Sequence, residues 1–270
     1  MPELPEVETV ARGLADVLVG RTFTGVTLRW AKTVAYPTAA EFQKIVGRRV
    51  TSVGRRGKYV VVNLTEGALL IHLKMSGRLQ VLPRGNLPDR HTHTVFDLDN
   101  GQQLHFRDVR KFGRVYLVAD PAQITGQLGP EPLASDFTEA DFHRLLARRS
   151  GRLKSLLLNQ EFLAGLGNIY ADESLFAARL HPLRKADSLT PEEQHRLYQA
   201  IRTVLASAVE DRGTTLDDRG YLDARGEAGS YQDRVAVYGR TGKGCLVCDS
   251  VIQRLVVGGR STHYCPSCQQ

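Results

Sequence analysis

The first 244 residues of this 270-residue chain contain no cysteine. A disulfide framework for the body of the protein is therefore excluded. No apolar run approaches the roughly 20 residues that a membrane helix requires. Acidic residues and prolines stand at the N-terminus, where a secretory signal needs a basic and then an apolar stretch. Together these absences make the cytoplasm the expected location and remove a membrane from the expected partners. Acidic excess is missing too: 36 Lys and Arg face 29 Asp and Glu, giving +7 and a pI near 9.4. That balance suits a polyanionic partner. At 42% hydrophobic and 24% charged residues, the chain can build one large or two ordinary domains.

All four cysteines fall in the last 26 residues, as Cys245, Cys248, Cys265 and Cys268. The pattern Cys-x2-Cys-x16-Cys-x2-Cys lies within the spacing of a structural four-thiolate zinc site. Two disulfides are the alternative, and the lack of an export signal weighs against them. The sixteen residues between the pairs suit a hairpin. Around it, segment 234–270 carries Arg234, Arg240, Lys243, Arg254 and Arg260 against Asp249. Arg260 falls where it would project from the hairpin tip, or it is simply a solvated arginine.

The chain reads as two halves. Thr22–Trp30, Arg49–Val53, Lys58–Leu64, Leu69–Leu73, Val95–Leu98, Leu104–Phe106 and Arg114–Val118 are short and rich in β-branched or aromatic residues. Turn signals separate them, the strongest being Asp99-Asn100-Gly101. This spacing predicts a sandwich or barrel with the first helix packed on it. Leu128 to Ser135, with two prolines and a glycine, reads as a linker. Beyond it the pattern is helical: Thr138 caps a helix through Arg149, and Thr190-Pro191-Glu192-Glu193 opens another that runs to about Glu210 and ends at Gly213. Between them, Glu161 to Tyr170 has glycines that allow either a tight interhelical turn or a loop leading its N–H groups toward an anion. Residues 212–233 are rich in glycine and charge, and mobility is expected there.

Met1-Pro2-Glu3-Leu4-Pro5-Glu6 opens the chain. With Met1 removed, Pro2 becomes a terminal secondary amine, and a terminal amine titrates near ~7.7–8.0. A sizeable neutral fraction then exists at physiological pH, ready to attack an aldehyde-like carbon. Pro5 suits the first turn of a helix whose positive end faces Pro2 and favours the neutral amine. Read locally, the same residues also do no more than start a helix.

These pieces, taken in order, resemble the formamidopyrimidine-DNA glycosylase family over essentially the whole chain. The resemblance is carried by Pro2-Glu-Leu-Pro-Glu-Val-Glu-Thr9, Gly57-Lys58-Tyr59, His72-Leu-Lys-Met75-Ser-Gly77, Asp108-Val-Arg110-Lys-Phe112-Gly113, Gly165-Leu-Gly-Asn168-Ile-Tyr170, Val237-Tyr-Gly-Arg240 and the four cysteines. It implies an α+β protein: an N-terminal helix with a β-sandwich domain, then a helical domain with a helix-two-turn-helix element and a zinc-finger hairpin. The implied boundaries are 1–130 for the catalytic β-sandwich domain, 131–135 for the linker, 136–233 for the helical domain and 234–270 for the finger. The implied activity is base-excision repair, the removal of oxidised purines with cleavage of the resulting abasic site. One structural zinc ion is implied, and the partner is duplex DNA containing damaged bases or abasic sites, engaged by a monomer.

By the same resemblance, Pro2 is the nucleophile, Glu3 the proton donor or acceptor, and Lys58 an assisting lysine. Met75, Arg110 and Phe112 look like the side chains that enter the duplex when the damaged nucleotide leaves; as plain core residues Met75 and Phe112 would need no such role. Lys154 looks like a contact on the lesion side, Asn168 and Arg260 like phosphate-gripping residues, and His72 like a further phosphate contact. His91 and His93 read as part of a solvated loop before a strand. Two departures stand out: Asp249 follows Cys248 where the family commonly has glycine, and Asp217–Arg225 matches the family's lesion loop only loosely. An endonuclease VIII-like glycosylase for oxidised pyrimidines, or a non-catalytic zinc-dependent DNA-binding protein, are the competing readings.

Overall fold

A computed structural model describes residues 1–216 and 220–270. Asp217, Asp218 and Arg219, the first residues of the Asp217–Arg225 segment, lie outside the described residues. The chain divides into two compact units, Met1–Gln127 with Asp211–Gln232, and Leu128–Glu210 with Asp233–Gln270.

In the first unit, α1 (Leu4–Leu18) has Pro5 in its first turn and faces inward through Leu4, Val7, Val10, Ala11, Leu14 and Leu18. Nine strands follow among the described residues: β1 (Phe23–Leu28), β2 (Val34–Tyr36), β3 (Val50–Arg56), β4 (Tyr59–Leu64), β5 (Ala68–His72), β6 (Gly77–Pro83), β7 (Thr92–Leu98), β8 (Gln102–Asp108) and β9 (Arg114–Val118). They form a four-stranded sheet, ordered β1-β7-β8-β6, and a five-stranded sheet, ordered β2-β9-β5-β4-β3. One apolar core joins α1 to both sheets, with Phe23, Phe96, Leu104 and Phe106 from the first and Val60, Val62, Leu69 and Ile71 from the second. This is the sandwich that the strand spacing predicts. Asp99-Asn100-Gly101 makes the β7–β8 turn, with Gly101 at φ +78.

Two strands escape the sequence reading. β2 has three residues, and β6, Gly77–Pro83, buries its residues in a pattern that alternates only weakly. Described residues of the segment expected to be mobile are tied into the first unit. The Thr214 N–H donates to Glu6 Oε1 at 2.7 Å, and buried Tyr221 joins the sandwich core. Gly213, at φ +83, sits so close to Glu6 that a Cβ there would lie 2.7 Å from Oε1. Residues 211–232 accordingly group with the sandwich, although the sequence alone puts them with the helices.

A single turn, α2 (Ala122–Thr125), ends the N-terminal stretch of the first unit. The second unit holds α3 (Glu139–Leu146), α4 (Leu153–Leu158), α5 (Asn168–Ala177) and α6 (Pro191–Glu210), then the hairpin β10 (Gln253–Val257) and β11 (Arg260–Tyr264). Thr138 and Asp141 close a capping box on α3, which ends at Leu146, short of the expected Arg149. Thr190 and Glu193 exchange the same pair of bonds at the start of α6, at 2.9 and 3.2 Å.

Candidate functional site

The opening residues form a buried start to α1. Met1 is half exposed, whereas Pro2, Glu3 and Glu6 are buried. Glu3 is the residue that caps the helix, and its N–H donates to Glu6 Oε2 at 2.7 Å. Glu6 therefore uses one oxygen for Glu3 and the other for Thr214. Its role was not read from the sequence, although Glu3 and Glu6 stand at capping-box spacing. Because an anion is favoured at a helix N-terminus, the Glu3 carboxyl is held in place beside Pro2 by the backbone itself.

Lys58 occupies the two-residue turn Gly57-Lys58 between β3 and β4, where Gly57 takes φ +55, and it is only 6% exposed. Arg55 ties that turn to α1: Nε donates to Glu8 Oε2 at 2.9 Å and Nη1 to the Gly57 carbonyl at 3.0 Å. Burial pushes the Glu8 carboxyl up, and the charges and hydrogen bonds of Arg55 and Arg12 outweigh it, leaving the group below its usual range. One helix thus follows Glu3 and, through Glu8 and Arg55, braces the turn that carries Lys58.

His72 ends β5 opposite Tyr59, with the two rings edge to face at 4.6 Å. Burial, with Lys74 and Lys58 nearby, pushes its pKa down to about 3. The Lys74 N–H donates to His72 Nδ1 at 3.0 Å, so the neutral ring carries its proton on Nε2.

Met75, Arg110 and Phe112 all reach solvent, Met75 at 38% and Phe112 at 47% exposure, which removes the core reading for both apolar residues. The Arg110 guanidinium lies 5.1 Å from the Phe112 ring centroid. Asp108, 1% exposed, joins the two loops that carry them. It accepts from the Ser76 hydroxyl beside Met75, from the Arg110 N–H at 3.1 Å and from the Gly113 N–H at 2.6 Å. Nothing in the sequence pattern assigns Asp108 that task. His93 is not in a solvated loop: it lies within β7, 3% exposed, with Nε2 2.7 Å from the Asp108 carbonyl.

In the second unit, Lys154, which the resemblance makes a lesion-side contact, is held inside the protein. Its side chain is wholly buried; Nζ donates to Asp172 Oδ1 at 2.6 Å and to the Asn168 carbonyl at 2.9 Å. A lysine enters a core only with such a partner, and here the pair fixes the start of α5. The other Asp172 oxygen accepts from the N–H and Nδ1 of His263 on β11, at 2.9 and 3.0 Å. Next along α5, Glu173 accepts three consecutive N–H groups, from Ala236, Val237 and Tyr238, at 2.8 to 3.0 Å. Adjacent carboxylates of α5 thus clasp the finger segment at two places. The Asn168 amide donates to the Ser261 carbonyl at 2.8 Å, one residue beyond exposed Arg260. Arg260 opens β11 directly after the Gly258-Gly259 turn, which places it at the tip.

The four cysteine sulfurs lie within 4.8 Å of one another, the only such group of metal ligands among the described residues. Cys245–Cys268, Cys248–Cys265 and Cys248–Cys268 sulfur separations are 3.9, 3.5 and 3.4 Å. A zinc tetrahedron with Zn–S near 2.3 Å has sulfur edges of about 3.8 Å, so the donor set fits one structural zinc ion. Asp249, in the place where glycine is common, takes φ +58 in the knuckle. Aspartate tolerates that left-handed conformation better than most side chains.

Three family models match in order. Residues 1–115 match the formamidopyrimidine-DNA glycosylase N-terminal domain, 128–219 its H2TH domain, and 242–270 the zinc finger found in FPG and IleRS. A formamidopyrimidine-DNA glycosylase of Pelotomaculum thermopropionicum is 49% identical, covering 100% of this chain and 99% of the relative. Among solved structures, the MutM (Fpg) protein of Thermus thermophilus is 45% identical with a TM-score of 0.90, covering 99% of this chain and 98% of that one. An Fpg variant of Lactococcus lactis, in complex with Fapy-dG-containing DNA, is 34% identical with a TM-score of 0.92 over 100% of both chains. The chain belongs to the formamidopyrimidine-DNA glycosylase family.

Proposed function

We propose that this protein removes oxidised purines from duplex DNA and cleaves the abasic site left behind, with Pro2 as nucleophile once Met1 is removed. The observation that carries the assignment of roles is the buried Pro2-Glu3 pair at the positive end of α1, braced to the Lys58 turn. The Pro2 nitrogen bonds to C1′ of the extruded nucleotide as the bond from C1′ to the base breaks, and the base leaves with a proton. The C1′–O4′ bond then opens, with Glu3 placed to protonate O4′, and an iminium joins the enzyme to the sugar. That iminium acidifies the C2′ proton, and its loss expels the 3′ phosphate; a second elimination expels the 5′ phosphate.

Extruding a nucleotide costs a few kcal/mol in stacking and pairing. Met75 and Phe112, apolar and exposed, offset part of that by filling the gap, while Arg110 hydrogen-bonds the partner base. The neutral His72, donating from Nε2, together with Asn168 at the start of α5 and Arg260 at the hairpin tip, grips backbone phosphates. The zinc ion holds the hairpin that presents Arg260. DNA of the cytoplasm and nucleoid is the proposed place of action; no helix among the described residues is long and apolar enough to cross a membrane.

One gel experiment tests the reading, using duplexes with 8-oxoguanine opposite cytosine, thymine glycol, or a preformed abasic site. Excision of 8-oxoguanine and cutting at the abasic site are expected. Preference for thymine glycol would favour the endonuclease VIII-like reading, and binding without cleavage the non-catalytic one.

A further inference from the structure

The Arg110–Phe112 loop is supported from one side by Asp108, and from another by the only tryptophan of the chain, Trp30. Trp30 follows β1, where its N–H and that of Arg29 both donate to the His93 carbonyl, at 3.3 and 2.9 Å. Its indole packs on the His93 ring at 5.3 Å, and His93 in turn reaches the Asp108 carbonyl. The indole also carries two cations: Lys111 Nζ lies 5.6 Å from the ring centroid and Arg114 Cζ 5.4 Å. Both are within the roughly 6 Å reach of a cation–π contact, for which tryptophan is the best partner.

These two cations are placed at critical points of the loop. Lys111 separates Arg110 from Phe112 and sits at φ +57, a conformation that L side chains rarely adopt. Arg114 closes the loop by donating to the Lys111 and Gly113 carbonyls at 3.0 and 2.8 Å. An unusual backbone conformation persists only where its surroundings fix it. Here the fixing groups are the Asp108 carboxylate and the Trp30 face.

We propose that Trp30 is a positioning residue: its indole holds Lys111 and Arg114 so that Arg110 and Phe112 stand outward, ready to enter the duplex. Trp30 itself touches neither the base nor the sugar. The inference rests on the excision reading given above and adds to it the support on which the entering side chains depend. It follows that loss of the indole should slow the step that displaces a base, and spare the step that begins with the base already gone.

The test uses the full-length, zinc-loaded protein as wild type, Trp30→Phe and Trp30→Leu, in single turnover. On 8-oxoguanine opposite cytosine, Trp30→Leu is expected to be about tenfold slower and Trp30→Phe within about threefold of wild type, the scale of two lost or weakened cation–π contacts. At a preformed abasic site the three should agree within about twofold, since no base then has to be displaced. Equal loss on both substrates, no loss on either, or a phenylalanine variant as slow as the leucine one overturns the inference. Because Trp30 is the sole tryptophan, wild-type emission supplies a second readout that needs no variant to fold. It should change when a duplex bearing a stable abasic-site analogue binds, and unchanged emission at saturating DNA overturns the inference too. A wild-type protein that cuts neither duplex would instead overturn the excision reading, with the emission response still deciding the role of Trp30.

Discussion

A histidine that stays neutral leaves a measurable trace. With its pKa depressed to about 3, folded His72 declines a proton that the unfolded chain accepts below ~6.5. Its contribution to stability is therefore present above that value and is lost as pH falls from ~6.5 toward 3. In an NMR titration, one imidazole should show no shift between about pH 5 and 8, and it should disappear from the spectrum of His72→Gln. A residue at that position titrating near 6.5 would contradict the neutral donor. Glu3→Gln is expected to abolish excision while duplex affinity stays within about twofold, because the change removes a proton donor and keeps the shape. Equal loss of binding and excision would take Glu3 out of the chemistry. Lys154 bears on stability as well: Lys154→Met leaves Asp172 buried without its cation, which costs about 3–5 kcal/mol. Denaturant unfolding with a loss below about 1 kcal/mol would show that the pair is dispensable.

Elements were legible from sequence where their ends are written locally. The α6 capping box, the Asn100-Gly101 turn and the cysteine knuckles depend on residues within a few positions of one another, so spacing alone locates them. β6 was missed because strands whose faces alternate only weakly between core and water give little periodic signal. The pairing of Lys154 was invisible for a related reason: its partner Asp172 lies on the next helix, 18 positions away in sequence. Asp108 shows what such remote bonds do for an element. It satisfies one hydroxyl and two backbone N–H groups in two separate loops, so Asp108→Ala orphans the Ser76 and Gly113 donors and leaves the Arg110 N–H only its 3.2 Å bond to Ser76 Oγ. A stability loss of about 2–4 kcal/mol is expected from the unmade bonds. Proteolysis should then cut first near residues 109–113; a protease map unchanged from wild type would show that the carboxylate does not hold the loop.

At the scale of the molecule, the two architectures were readable in the sequence, but not the return of 211–232 to the sandwich. The bond that secures that return spans Glu6 and Thr214, 208 positions apart, beyond the reach of any periodicity or turn signal. The candidate site is likewise split between what one segment carries and what tertiary structure adds: Pro2 and Glu3 stand as candidates in the opening segment itself, whereas the Arg55–Glu8 brace becomes visible only in the fold. The zinc site acts on a whole hairpin whose core is the small cluster of Val237, Cys245, Ile252 and Cys265. Chelation should unfold it and lower duplex affinity, with the sandwich's own near-UV signal retained; affinity unchanged after proven zinc loss would separate the finger from DNA binding. Under the proposed reaction, the terminal amine of Pro2 bonds to deoxyribose during turnover. Borohydride added during reaction with an abasic-site duplex should trap a covalent adduct, and peptide mass spectrometry should place the sugar remnant on Pro2. A remnant on Lys58 or any other lysine, or an adduct formed equally well by protein that retains Met1, would rule out Pro2 as the nucleophile.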